Sequence, residues 1–219
     1  MRAYRPPAEP FLSVVYEDEA LLVLDKPSGL LSVPGRDPAH RDSLASRAQA
    51  RYPGALTVHR LDMDTSGLVV MARNPQAHRK LSAQFQNRQV EKVYCAKVWG
   101  ELADNSGEID LPLICDWPNR PRQKVDFELG KPSLTRWEKI SACAGFSLVC
   151  LRPVTGRSHQ LRVHLQAIDH PILGDPFYAH PQARTAAPRL LLHATELAFT
   201  HPESGEQLRF SSAPETQFF

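Results

Sequence analysis

Apolar residues occur in short runs along this chain, and no uninterrupted run is longer than residues 20–24. A helix that crosses a bilayer needs about 18 consecutive apolar residues, so the sequence predicts no membrane segment. Apolar residues nevertheless make up 42% of the 219 residues, enough to bury a sizeable core without covalent cross-links. These features exclude a disordered, fibrous or disulfide-built protein and favour a globular one.

The runs have the length of β-strands, and turn-forming residues separate them. We predict strands at residues 12–16, 20–25, 67–72, 93–99, 134–140, 146–153, 190–199 and 207–210. We predict helices at residues 43–50, from Asn74-Pro75 onward, and at about residues 158–168. Strands and helices do not alternate regularly, so the expected fold is α+β with a mixed, largely antiparallel sheet. Residues 1–10 are expected to form an irregular tail, and residues 11–219 a single domain.

The net charge is only +2, from 26 basic and 24 acidic residues, but the two signs are separated along the chain. Residues 9–25 hold five acids and no base, whereas residues 73–97 hold six bases and one acid. Residues 117–124 add three bases, Arg120, Arg122 and Lys124. Such separation indicates a basic face for a polyanion, although a solvated face without a partner would give the same pattern.

Neither a metal site nor an export signal is expected. The four cysteines form no C-x-x-C pair, and His159 and His164 are five residues apart. That spacing does not place two histidines on one helix face as zinc ligands. The N-terminus lacks an apolar segment after its first basic residues, so we expect a cytoplasmic location.

The segment His59-Arg-Leu-Asp-Met-Asp-Thr-Ser-Gly67 concentrates polar side chains just before a predicted strand. A structural turn with side-chain caps would explain its second half without any function. Half of an aspartic protease site is another interpretation, but it requires a second carboxylate from elsewhere. The third is a nucleophilic or acid–base aspartate, Asp62 or Asp64, that a nearby cation keeps ionised.

A second polar segment, residues 152–164, carries three arginines and two histidines around the start of the last predicted helix. An arginine beside the core, such as Arg162, needs a carboxylate partner, and Asp62 is a candidate. A surface ion pair worth about 0–1 kcal/mol is the alternative.

These segments, in this order, resemble the signature of the RluA-type pseudouridine synthases. The central motif is His59-Arg-Leu-Asp-x-x-Thr-Ser-Gly-Leu68. The supporting motifs are Asp25-Lys-Pro-Ser-Gly29, Lys92-x-Tyr-x-Ala96, Thr155-Gly-Arg-Ser-His-Gln-Leu-Arg162, His170-Pro-Ile-Leu-Gly-Asp175 and Arg189-Leu-Leu-Leu-His-Ala194. Residues 111–121 and the short length are most similar to the dual-specificity members, which have no separate N-terminal RNA-binding domain. Those members act on uridine 746 of 23S rRNA and uridine 32 of tRNA anticodon loops.

The resemblance implies an enzyme that detaches uracil from its ribose, turns the base and rejoins it through C5. No electrons, water or group donor enter or leave, so no cofactor is expected. By resemblance Asp62 is the nucleophile, Arg162 is its ion-pair partner, and Tyr94 stacks on the target uracil. Asp64 falls at a variable position of the motif.

The implied partner is RNA, namely a 23S rRNA hairpin and a tRNA anticodon stem-loop, bound by a monomeric enzyme. Arg60 is implied to fill the gap left by a flipped base, and Leu161 to form an apolar wall of the pocket. The remaining predicted RNA contacts are His59, Arg120, Arg122 and Lys124. A catalytically silent RNA-binding protein of the same fold is the alternative function.

Overall fold

The computed structural model describes residues 4–219, and within them the chain forms twelve β-strands and four α-helices. The strands are β1 (Ser13–Glu17), β2 (Leu21–Lys26), β3 (Leu56–Thr57), β4 (Ser66–Ala72), β5 (Glu91–Trp99), β6 (Ser106–Asp110), β7 (Leu113–Cys115), β8 (Gln123–Val125), β9 (Leu134–Cys143), β10 (Phe146–Pro153), β11 (Leu192–Thr200) and β12 (Gln207–Ser211). The helices are α1 (Leu44–Arg51), α2 (Pro75–Gln86), α3 (Gln160–Ala167) and α4 (Pro181–Thr185). None of these helices has the length and apolarity that a bilayer span requires.

The chain divides into two compact units. Unit 1 consists of Met1–Lys92 and Ala194–Ala213, and unit 2 of Val93–His193 and Pro214–Phe219. A single catalytic domain over residues 11–219 stays a prediction. Residues 4–10 of the predicted tail form neither helix nor strand, and residues 1–3 lie outside the described residues.

Unit 1 is built on strands in the order β1-β2-β4-β11, with β3 beside β4 and β12 beside β11. The hairpins β1–β2 and β11–β12 are antiparallel, as predicted from the turns between the apolar runs. Every residue of β4 is buried, which agrees with its continuous apolar sequence. The polar segment His59–Gly67 therefore runs directly into a strand in the core of unit 1.

The predicted N-terminal signal of α2 is confirmed. The Asn74 side chain accepts a hydrogen bond from the Ala77 amide (2.8 Å), and Pro75 occupies the first turn. The apolar stripe buries Ala77 and Leu81 against the core of unit 1. This cap satisfies an amide that the first helical turn would otherwise leave without an acceptor.

Unit 2 is built on strands in the order β5-β10-β9-β6, and β7 and β8 form a separate two-stranded sheet. The pairs β5–β10, β10–β9 and β9–β6 are all antiparallel. A mixed, mostly antiparallel sheet with few helices confirms the predicted α+β fold. The short elements β6, β7, β8 and α4 were not predicted, because they have five residues or fewer and no clear apolar period.

Helix α3 is buried more completely than its apolar stripe predicts. Leu161 and Leu165 pack into the core of unit 2 as expected, but Gln160, Arg162 and His164 are buried as well. Buried polar side chains must find hydrogen-bond partners. We therefore expect Gln160, Arg162 and His164 to have hydrogen-bond partners within unit 2.

Candidate active site

Asp62 lies in the connection between β3 and β4. Side chains from the end of β2 and from the loop after it bind the backbone of this connection. The fully buried Lys26 donates from Nζ to the carbonyl of Met63 (2.9 Å). The Ser28 hydroxyl donates to the carbonyl of Asp64 (2.7 Å). A buried ammonium requires such acceptors, so these bonds join the two loops tightly.

Ser32 holds the residue on the other side of Asp62. Its hydroxyl donates to the carbonyl of Leu61 (2.6 Å) and accepts from the Leu61 amide (3.1 Å). The Leu61 side chain is buried, and the Thr65 amide donates to the carbonyl of Asp62 (3.2 Å) to close a turn. Asp62 itself is only partly buried. The protein thus presents this carboxylate from a backbone fixed on both sides. We call residues 59–67 the aspartate segment.

The aspartate segment ends at Gly67, a position that only glycine fits. Its φ is +108°, in the region that favours glycine. A Cβ at this position would lie 2.3 Å from the carbonyl oxygen of Ala194. Thr65 and Ser66 beside it are buried. Asp62 and Thr65 close the turn that precedes β4, and the side-chain caps of the structural-turn interpretation stay a prediction.

The ring of His59 is part of the packing of unit 1. Nε2 accepts a hydrogen bond from the Val70 amide (3.0 Å), and the ring stacks on Phe85 with the centroids 4.3 Å apart. Burial, together with a smaller contribution from the positive charge of Lys92, lowers the pKa of His59 to about 3. The ring is therefore neutral at pH 7, with its proton on Nδ1. Its RNA contact stays a prediction, and the adjacent Arg60 is exposed.

In unit 2, Arg162 forms a buried ion pair with Asp175. Nε and Nη2 of Arg162 donate to the two carboxylate oxygens at 2.8 Å and 2.7 Å. The side chain of Arg162 is 2% exposed and that of Asp175 is fully buried. The alternative of a surface ion pair for Arg162 is therefore wrong. The predicted pairing of Arg162 with Asp62 joins residues of different units and stays a prediction.

Aromatic rings flank this ion pair. The Arg162 guanidinium lies 5.2 Å from the ring centroids of both Phe177 and Tyr178. The Tyr178 hydroxyl is 2.6 Å from Nδ1 of His159 and accepts from the Gln123 amide (2.8 Å). We call Arg162, Asp175, Phe177, Tyr178 and His159 the arginine cluster. It fixes the orientation of the Arg162 guanidinium, from which the Asp175 carboxylate accepts two hydrogen bonds.

The other buried polar side chains of α3 hold the helix in place. The Gln160 amide group donates to the carbonyl of Leu134 and to the Thr135 hydroxyl, both at 3.0 Å. His164 bridges the Thr135 hydroxyl (2.9 Å) and the carbonyl of Leu111 (3.0 Å). Burial lowers the pKa of His164. These bonds give Gln160 and His164 structural roles, and of the two only Gln160 belongs to the motif that ends at Arg162.

The structure places Tyr94 and Leu161 against the same core as Arg162. Tyr94 lies in β5 opposite Leu151 of β10, is partly buried, and packs on the core of unit 2. Leu161 belongs to that core. The predicted uracil-stacking role of Tyr94 and the pocket-wall role of Leu161 stay predictions.

Of the basic residues predicted from the charge pattern, Arg120 and Arg122 lie on the connection from β7 to β8, and Lys124 lies in β8. We call residues 117–124 the basic segment. Arg120 lies over the Trp117 ring, with Cζ 4.2 Å from its centroid. Arg122 lies 5.9 Å from the Phe177 ring that also flanks Arg162. Lys124 is 3.5 Å from Asp126. The structure thus brings Arg122 to the arginine cluster and leaves Arg120 further out on the turn with Trp117.

Sequence reasoning missed Asp175 as a site residue. Its signal was present, because it ends the motif His170-Pro-Ile-Leu-Gly-Asp175, but nothing in the spacing shows that this carboxylate meets Arg162. No group of three side chains suited to hold a metal occurs within residues 4–219.

The chain thus carries a partly buried aspartate on a fixed backbone in unit 1 and a buried, aromatic-flanked arginine in unit 2. The chain matches the model of the RNA pseudouridylate synthase family over residues 20–167, which include Asp62, Tyr94 and Arg162. This chain belongs to that family. The family and the enzyme class predicted from the motifs, an RNA pseudouridine synthase and hence an isomerase, are confirmed.

Relatives of known name are similar over nearly the full length. The chain is 54% identical to the dual-specificity RNA pseudouridine synthase RluA of Escherichia coli (strain K12) over 213 residues, which are 97% of each chain. It is 52% identical to the protein of the same name from Haemophilus influenzae over 210 residues, 95% of this chain and 96% of that one.

A solved structure agrees in fold. Human RNA pseudouridylate synthase domain containing 1 superposes with a TM-score of 0.79 at 30% identity, covering 95% of this chain and 86% of that chain.

Proposed function

We propose that this chain is a dual-specificity synthase that converts uridine to pseudouridine in two RNAs. The proposed targets are uridine 746 in a 23S rRNA hairpin and uridine 32 in the tRNA anticodon stem-loop. The observation that carries the proposal is the partly buried Asp62 on its anchored backbone. The 54% identity over 97% of both chains to relatives named for dual specificity supports the choice of targets.

In the proposed reaction the Asp62 carboxylate acts on the flipped nucleotide while the C1′–N1 bond breaks. The freed uracil turns, and a C1′–C5 bond forms. N1 gains a proton and C5 loses one, and we assign Tyr94 to accept the proton from C5. Reactant and product have the same atoms, so the reaction requires neither an oxidant nor a group donor.

Substrate access requires the uridine to leave the base stack. The exposed Arg60, two residues from Asp62, is the side chain that we assign to the vacated space. A planar guanidinium can stack on the neighbouring bases and also meet a phosphate. We further infer that the enzyme acts in the cytoplasm and that it is a monomer. Sedimentation of the purified protein would test the oligomeric state.

Release of tritium from RNA labelled at uracil C5 tests the proposal directly. The purified protein is incubated separately with the 23S rRNA hairpin and the anticodon stem-loop, and with versions that carry cytidine at the target. Tritium release from both uridine-containing RNAs and from neither cytidine version is expected. Tight binding without release would contradict catalysis and favour the silent RNA-binding protein. Release from only one RNA would contradict dual specificity.

A further inference from the structure

Trp117, in the basic segment, is one of the most solvent-exposed large apolar side chains of the described chain, at 64% exposure. Single exposed apolar side chains are common on protein surfaces, so the surroundings of Trp117 must decide whether it serves a contact. The guanidinium of Arg120 already lies over this ring at 4.2 Å. The two side chains therefore form a flat cationic and aromatic platform that the solvent reaches.

The backbone beneath this platform is preformed. The Asp116 amide donates to the carbonyl of Arg122 (2.9 Å), and the Asn119 amide donates to the carbonyl of Asp116 (2.9 Å). The Asn119 side chain also donates to the carboxylate of Asp116 (2.8 Å), the acidic residue next to Trp117. This carboxylate therefore already has a hydrogen-bond partner. A turn closed by its own hydrogen bonds loses little conformational freedom when a ligand binds.

The charges near the platform suit a polyanion. Arg120, Arg122 and Lys124 are exposed, and Arg122 lies beside the Phe177 ring of the arginine cluster. The basic segment is also tied to this cluster by the bond from the Gln123 amide to the Tyr178 hydroxyl. A strand of RNA that contacts the exposed Arg122 and Lys124 would therefore continue along positive charge toward Trp117.

A second exposed aromatic residue nearby shows the opposite surroundings. Phe127 is 77% exposed, but it stands between Asp126 and Glu128. Negative charge on both sides disfavours a phosphate backbone there. The local charge thus distinguishes two rings of similar exposure within eleven positions of the same chain.

We propose that Trp117 stacks on an unpaired nucleobase of the RNA substrate, at a position other than the target uridine, with Arg120 stacked on the indole. The proposal rests on the proposed function, because that function supplies an RNA ligand. It assigns a substrate-binding residue that the charge pattern alone did not indicate. Stacking accepts every base, so Trp117 contributes affinity and places the strand without reading its sequence.

The test compares the affinity of the anticodon stem-loop for wild-type protein, Trp117→Ala, Trp117→Phe and the matched control Phe127→Ala. Trp117→Ala should raise the Kd roughly tenfold or more, the size expected for loss of one base–aromatic stack. Trp117→Phe should stay within about threefold of wild type because it keeps a π-face, and Phe127→Ala should bind as wild type. RNA should also quench the intrinsic tryptophan fluorescence, and Trp117→Phe should remove most of this quenching.

Each outcome separates the two proposals. Equal affinity of wild type and Trp117→Ala, or equal loss in Trp117→Ala and Phe127→Ala, overturns the stacking role and leaves the proposed function intact. Wild-type protein that binds RNA but releases no tritium overturns the proposed function, while the same titration still decides the stacking. If Trp117→Ala does not fold, the quenching comparison with Trp117→Phe decides alone.

Discussion

The aspartate segment of unit 1 and the arginine cluster of unit 2 are held in opposite ways. Around Asp62 the protein binds backbone carbonyls, through Lys26 and Ser32 on either side. In the arginine cluster it binds the side chain itself, because Asp175 takes two hydrogen bonds from Arg162. From this contrast we predict which substitutions the fold tolerates. A side chain on an anchored backbone can change with little cost to stability, whereas one half of a buried ion pair cannot.

The largest expected effect is the loss of turnover in Asp62→Asn. The amide has nearly the shape of the carboxylate but is not a nucleophile, and the substitution leaves the backbone bonds that hold the segment in place. We expect no detectable tritium release, with RNA affinity and melting temperature close to wild type.

Asp64→Asn is the matched control for Asp62→Asn. The bond from Ser28 goes to the backbone carbonyl of Asp64, which the substitution leaves in place. This variant should keep most of the activity. The opposite outcome, with Asp64→Asn inactive and Asp62→Asn active, would show that the motif has been aligned incorrectly.

Asp175→Asn should destabilise the protein. It leaves the Arg162 guanidinium buried without its anionic partner, and such a loss costs about 3–5 kcal/mol in the free energy of unfolding. Unfolding by urea measures this value, and activity should fall with it.

Glu138→Gln is the control for this variant. Glu138 pairs with Arg152 at 3.5 Å, and both side chains are more than half exposed. Its cost should stay below about 1 kcal/mol. If the two variants lost equal stability, the comparison between backbone-held and side-chain-held regions would be wrong.

The sequence indicated Asp62 and Arg162 as candidate site residues but did not predict the contacts that hold them in place. Those contacts depend on the tertiary packing of the chain. Local signals such as the Asn74 cap and the buried run of β4 depend on neighbouring residues, so they can be read from the chain. The pair of Arg162 with Asp175 spans thirteen positions and depends on the packing of α3. The burial of His59 likewise depends on Phe85, which no spacing rule places beside it.

Arg60→Ala tests the exposed part of the aspartate segment. If Arg60 fills the space of the flipped base, its loss raises the cost of extrusion by a few kcal/mol. We expect the single-turnover rate to fall roughly 30- to 100-fold on the structured stem-loop, and much less on an RNA whose uridine is already unstacked. Equal losses on both RNAs would place the defect in the chemical step instead.

Replacement of Arg120, Arg122 and Lys124 by alanine tests the exposed part of unit 2. Each lost phosphate contact should reduce the dependence of log K on log salt by about 0.7, so the slope should fall by up to about 2. Affinity at physiological salt should fall roughly tenfold. A double variant of Arg136 and Arg152, whose charges pair with Glu108 and Glu138, should keep the wild-type slope.

The smallest expected effect concerns His59, at the start of the aspartate segment, and it appears only in acid. The folded pKa of about 3 lies below the ordinary value of 6.5, so below about pH 6.5 the unfolded chain binds a proton that the folded chain does not. Stability is therefore lost as the pH falls from about 6.5 toward 3, by at most about 1.4 kcal/mol per pH unit, and is unaffected above that window.

His59→Gln isolates this contribution. Its amide oxygen can accept from the Val70 amide, but the side chain does not titrate. Other groups with lowered pKa values, among them Asp18 and Asp42, titrate in both proteins and cancel in the difference. The free energy of unfolding of wild type, relative to His59→Gln, should thus drop by about 1.4 kcal/mol between pH 7.5 and pH 5.5. Parallel pH profiles would mean that the ring is accessible to protons in the folded state. The anchored part of the segment would then begin after His59, and a charged His59 would be available to meet a phosphate.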